Sequence, residues 1–166
     1  MRYDRIVDVV AGLSSELRSL DRLAADLVDT WETLPVESRE KKIHEAALAL
    51  KLHNFYTGTE KIFEQIADEL NGGIVASREW HKRLLRSMTL ELPQIRPAVI
   101  SEKTEQMLSE FLAFRHIVRN IYAFELDSDR LSLLMRRFPV AYTSLKGDLT
   151  NFIAFLQQTV ERDSNG

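Results

Sequence analysis

The sequence predicts an all-α fold: an up-and-down bundle of four long helices and about two short ones, forming a single domain over residues 1–166. Three observations carry this. Apolar residues recur at spacings of three and four along most of the chain, the period of a helix with one buried face. No segment shows the two-residue alternation of a half-buried strand. Six glycines and four prolines in 166 residues are too few for a turn-rich β architecture.

The first helix has the clearest stripe, through Ile6, Val10, Leu13, Leu17, Leu20, Ala24, Leu27 and Trp31. Pro35 interrupts it. A second pattern runs through Ile43, Ala47, Leu50, Phe55, Ile62, Ile66 and Leu70 and ends at Asn71-Gly72-Gly73, where glycine accepts the left-handed conformation of a helix terminus. Gly58 inside this segment marks close packing or a bend. Ser77 is placed to cap a short third helix carrying Trp80, Leu84, Leu85 and Met88, and Pro93 and Pro97 make the next stretch a loop. Ser101 and Glu102 open a fourth helix, a capping hydroxyl followed by a charge that suits the helix dipole. Its stripe is Met107, Phe111, Phe114, Val118 and Ile121. Asp127 caps a short fifth helix reaching Phe138, and Pro139 opens the last, striped by Tyr142, Leu145, Leu149, Phe152, Leu156 and Val160. The tail from about 163 is expected to fray.

Composition narrows the chemistry. The absence of cysteine excludes disulfides, thiolate metal sites and a cysteine nucleophile. No pair of His, Asp and Glu has convincing metal spacing, and there is no glycine-rich phosphate loop or nucleophile elbow, so no cofactor and no metal are expected. No apolar run approaches the roughly 20 residues of a membrane span. The N-terminus lacks the apolar core of a signal peptide, so a cytoplasmic location is expected. The net charge of −3 argues against bulk electrostatic binding of nucleic acid, yet it hides an asymmetry. Residues 78–88 hold Arg78, Lys82, Arg83 and Arg86 against Glu79 alone. That run is either an ordinary solvated face or a local patch able to guide an RNA backbone.

The densest chemistry lies in Arg115-His116-Ile117-Val118-Arg119-Asn120-Ile121-Tyr122. At about 100° per residue, with Phe111 as zero, the apolar stripe falls within roughly 80° on one side. Arg115 and Tyr122 then sit about 20–40° on the other side, at the edge of the core face, with Arg119 a little further out. His116 and Asn120 point away from the core as an i, i+4 pair. Such a surface is either solvated, with arginine stems lying over the core edge, or completed by a second copy of the chain. Elsewhere, His53 and His81 sit among apolar and aromatic residues and read as packed, hydrogen-bonded histidines. His44 reads as solvated.

The chain resembles HEPN-domain proteins, specifically the HepT-like toxins that pair with minimal nucleotidyltransferase antitoxins. Besides the helical pattern, the carriers are Leu52-His53-Asn54-Phe55-Tyr56, Trp80-His81, Phe114-Arg115-His116 and Asn120-Ile121-Tyr122, followed by Phe124-Glu125-Leu126-Asp127. The resemblance implies a homodimer in which both copies of this helix line one RNA-cleaving site that works without a metal. It also implies an antitoxin that adds AMP to the signature tyrosine. The family signature places an arginine four to six residues before a histidine, and a tyrosine two residues after that histidine. Its arginine falls on Arg115 and its tyrosine on Tyr122, but its histidine falls on Asn120. An amide donates and accepts hydrogen bonds without exchanging a proton near neutral pH. His116, about 6 Å up the helix, is the nearby replacement. In this reading Arg115 binds the scissile phosphate, Arg119 neutralises developing charge, His116 or Asn120 positions the attacking hydroxyl, and Tyr122 is modified. The other reading is a catalytically inactive HEPN helical module that binds a partner protein or a nucleotide.

Overall fold

A computed structural model describes residues 3–120 and 125–166. Five α-helices follow in order: α1 (Tyr3–Glu32), α2 (Ser38–Ile66), α3 (Trp80–Ser87), α4 (Glu102–Asn120) and α5 (Ser128–Ser164). Among the described residues no strand forms, and none of their helices is long and apolar enough to cross a membrane. Helix α1 packs against α2 and α5, α4 packs against the same two, and the short α3 lies on α2 and α4. The four long helices enclose one core. At its centre Phe55 of α2, Phe111 of α4 and Phe138 of α5 meet edge to face, with centroids 4.9–6.0 Å apart. That geometry sets positive ring edges against negative faces and adds about 1 kcal/mol per pair to the area buried.

Local signals act as the sequence predicts at several boundaries. The Ser101 hydroxyl accepts the Thr104 amide at 3.1 Å and starts α4. The Asp127 carboxylate accepts the amides of Asp129 and Arg130 and starts α5. Gly72 and Gly73 take φ of 81° and 111° and stop the second helical segment, whose last turn, Ala67–Asn71, is wound as a π-helix. A methyl group at Gly58 would sit 3.3 Å from Leu20, so close approach of α1 explains that glycine.

Other expectations are corrected. The predicted short fifth and last helices are a single helix, α5, with Pro139 inside it. Pro139 removes one amide donor and crowds the preceding turn, at about 3 kcal/mol. The buried positions run through it unbroken, however, from Leu131, Met135 and Phe138 to Ala141, Leu145 and Leu149. Burial of that continuous stripe overrides the local break. Helix α5 extends to Ser164. In α2 the residues Ile43, Ala47 and Leu50, expected in the core, are exposed, Ile43 and Leu50 by 62% and 58%. The step from Leu50 to Phe55 is five residues, which turns the stripe by about 140°. Leu48, Leu52 and Phe55 are the buried set instead. Ser77 does not cap α3 with its side chain: its hydroxyl is buried without a hydrogen-bond partner among the described residues, and its carbonyl accepts the Trp80 amide.

The connection from α3 to α4 is organised by Arg96, which is 3% exposed. Its guanidinium donates to Asn71 Oδ1 and to the carbonyls of Ser87, Leu90 and Pro97, at 2.9–3.2 Å. Burial pulls its pKa down. One side chain thus satisfies carbonyls that the single Leu92–Arg96 backbone bridge of this turn leaves over.

Candidate functional site

Helix α4 buries Thr104, Leu108, Phe111, Leu112, Phe114 and Arg115. Because Thr104, Leu108 and Leu112 join the buried set, the core face is rotated from the one that the apolar stripe alone defines. Arg115 therefore lies in the middle of that face rather than at its edge, and is 2% exposed. An arginine so placed needs a compensating charge, because desolvating a lone cation is prohibitive. Glu60 of α2 supplies it. Arg115 Nη1 and Nη2 each donate to one Glu60 carboxylate oxygen at 3.1 Å, a bidentate pair. Nη1 also reaches Thr57 Oγ1 at 3.4 Å, and the guanidinium lies 4.8 Å from the centroid of the Tyr56 ring. Tyr56, Thr57 and Glu60 share one face of α2 because they fall within a single turn. The Tyr56 hydroxyl is buried with no hydrogen-bond partner among the described residues; burial and then the neighbouring Glu60 charge push its pKa up.

The same carboxylate has a third partner. His81 Nδ1 lies 2.7 Å from Glu60 Oε2, and Arg115 Nη2 is 3.0 Å from that nitrogen. The two contacts make opposite demands on Nδ1, the carboxylate needing a proton there and the arginine, a donor only, needing the lone pair; the shorter contact, to a charged acceptor, favours the proton on Nδ1. The imidazole also stacks on Trp80, with centroids 3.7 Å apart. Further along α2, burial raises the Glu64 carboxyl above its ordinary range, and Glu60 and Asp68 add to the effect.

Above this network runs a groove of about 780 Å³ between α3 and α4. Arg78, in the turn before α3, and Lys82 and Arg86, four residues apart on one face of α3, line its α3 side. His116 and Glu105 line its α4 side, Leu85, Leu112 and Ile117 give it an apolar floor, and His81 lies on its wall. The structure thus brings the exposed His116 together with three of the four basic residues of the 78–88 run. Arg83 is exposed and does not line the groove.

The other candidates lie apart. Arg119 is exposed on the α2 side of α4, where its Nε donates to His53 Nε2 at 3.2 Å. Asn120 is exposed, and its amide donates to the His116 carbonyl at 2.8 Å, a bond within its own helix. His44 is exposed, with Nδ1 2.9 Å from the Glu40 carbonyl. Tyr122 lies outside the described residues. Among the described residues no group of three or more His, Asp and Glu is arranged to hold a metal ion. Sequence reasoning missed Glu60 as a site residue, while its reading of His81 as a packed, hydrogen-bonded histidine agrees with the stacking on Trp80 and the bond to Glu60. Only the apolar surroundings of Glu60 hinted that its charge had a partner.

A family model described as HepT-like protein matches residues 47–156, well over half of the chain. No curated protein matches the chain, and no solved structure does. The chain belongs to the HepT-like family.

Proposed function

We propose that this HepT-like protein is a ribonuclease toxin that holds single-stranded RNA in the groove between α3 and α4 and is silenced by a nucleotidyltransferase antitoxin. The observation that carries the reading is the convergence of Arg78, Lys82 and Arg86 with His116 in one groove. Lys82 and Arg86 on successive turns of α3 and Arg78 just before it can hold phosphates without reading sequence. The apolar floor suits base stacking, and the imidazole of His116 supplies a group that can give or take a proton.

In this reading Arg115 does not grip a phosphate from within its own protomer, because Glu60 already occupies both of its terminal nitrogens. It fixes the carboxylate that in turn fixes His81. Arg119, exposed beside His53, is the arginine free to meet RNA or a second copy. The exposed stripe Ile43, Ala47 and Leu50 leads along α2 toward His53 and supports a homodimer contact there. Tyr122 is the residue the antitoxin modifies with AMP. Intact mass after co-expression with the neighbouring nucleotidyltransferase would rise by one adenylyl group or more and stay unchanged in Tyr122→Phe. Size-exclusion chromatography with light scattering should give a dimer that Leu50→Glu dissociates.

The direct test is cleavage of total RNA by purified protein in the presence of chelator. Lys82→Glu combined with Arg86→Glu should weaken RNA binding about tenfold or more and make its remaining salt dependence shallower. His116→Gln should abolish cleavage while leaving binding intact. Cleavage by His116→Gln at the wild-type rate would sink the assignment.

A second reading, a non-catalytic module that binds a partner or a nucleotide, is favoured by one observation. The Asn120 amide, at the position of the signature histidine, is turned back onto its own helix. That reading predicts no cleavage by the natural protein and a gain of activity in Asn120→His.

A further inference from the structure

We infer that the groove carries a two-histidine acid–base pair, with His81, oriented by Glu60, as the base and His116 as the acid. The inference rests on the proposal that the groove holds RNA, and it assigns the proton transfers. His81 has its Nδ1 on Glu60 Oε2 at 2.7 Å, and the ring is clamped against Trp80. A proton held at Nδ1 leaves Nε2 as the nitrogen with the free lone pair, which is the form a base needs. Glu60 then faces the positive charge that the ring acquires, an arrangement of carboxylate, imidazole and reacting group that recurs wherever histidine removes a hydroxyl proton. Arg115 on the same carboxylate keeps Glu60 fixed in place. His116 is exposed, and among the described residues no carboxylate holds its ring, so it can enter the groove carrying a proton.

The remaining charged groups around the pair are Glu64 on α2, Arg78, Glu79, Lys82 and Arg86 on or beside α3, and Glu105 on α4. The cations hold the phosphate and stabilise the charge that develops on its oxygens. His81 Nε2 takes the proton of a ribose 2′-hydroxyl as that oxygen attacks the adjacent phosphorus. The P–O5′ bond breaks, and His116 gives its proton to the leaving 5′-oxygen. The products are a 2′,3′-cyclic phosphate and a 5′-hydroxyl, and exchange with solvent resets both rings. Neither histidine occupies the position of Asn120, so the amide there does not remove the chemistry.

The test uses two substrates, a short single-stranded RNA and uridine 3′-(4-nitrophenyl phosphate), whose leaving group departs without protonation. On RNA, wild-type kcat/KM should follow a bell-shaped pH profile. Both His81→Gln and His116→Gln should lose about a hundredfold or more. On the nitrophenyl ester, His116→Gln should recover to near the wild-type rate and His81→Gln should not. Wild-type cleavage of RNA with an undiminished His81→Gln overturns the inference alone. An inert wild type overturns it together with the ribonuclease reading. Nitrogen-15 spectra of the wild-type histidines give an independent measure: His81 should be protonated at Nδ1, and a neutral ring protonated at Nε2 overturns the assignment even where variants fold poorly.

Discussion

Arg96 and Arg115 are buried to the same degree, 3% and 2% exposed, and they solve the same electrostatic problem differently. Arg96 ends on three backbone carbonyls and an amide oxygen, so its charge is met by dipoles and it ties down the turn that donates them. Arg115 ends on a carboxylate, so its charge is met by a charge, and that carboxylate has a lone pair left for His81. The first arrangement is closed. The second passes an orientation outward, through Glu60, to a ring on the wall of a groove. Burial alone does not tell the two arginines apart; the partner does.

Removing the charge from each arginine separates the two cases. Arg115→Ala should be the most damaging change, about 3–5 kcal/mol in urea unfolding, because it strands Glu60 in the interior. Arg115→Met with Glu60→Leu should regain most of that stability and none of the activity. If activity returned with the stability, His81 would not depend on Glu60. Arg96→Met should lose about 2–3 kcal/mol, since several acceptors would be left without a donor. Its kcat, measured at a temperature where it is folded, should stay at the wild-type level. A fall in kcat would erase the distinction between the two arginines.

The smallest effect belongs to a pair nearer solvent. The Asp21 carboxylate accepts from the Tyr142 hydroxyl and from Lys146, joining α1 to α5. Burial pushes the Asp21 carboxyl up, but these two partners outweigh it and hold it below the ordinary range. A depressed folded-state pKa stabilises the fold above the unfolded carboxylate value, near pH 4, and that contribution disappears as the pH falls through the folded-state value. Tyr142→Phe should therefore lose about 1 kcal/mol at neutral pH and make acid unfolding below pH 4 shallower. An unchanged acid limb would show that Lys146 alone holds the carboxylate.

The chain announces some of this openly. The α1 stripe, the Ser101 and Asp127 caps and the stop at Gly72 depend on interactions within a few residues, so periodicity and side-chain type suffice to find them. Pro139 reads as a helix start because its local preference is strong, and only the stripe running on both sides of it argues otherwise. The burial of Arg115 depends on Glu60, 55 positions away, and the orientation of His81 depends on the same carboxylate across 21 positions. No local pattern encodes a partner on another helix. The groove illustrates both sides of this: its basic face is visible as a run of charge, while its histidine wall exists only once α3 lies against α4.

The family match begins at Ala47, inside α2, so the whole of α1 precedes it. Yet α1 contributes Ile6, Val9, Leu13, Leu20, Ala24 and Leu27 to the core and its Asp21 to the bond with Tyr142. A fragment trimmed to the recognisable residues would expose the opposite face of α2, the helix that carries Tyr56, Thr57 and Glu60. The limits of resemblance and the limits of cooperative folding do not coincide here, and the least recognisable helix is the one that keeps the groove's foundation rigid.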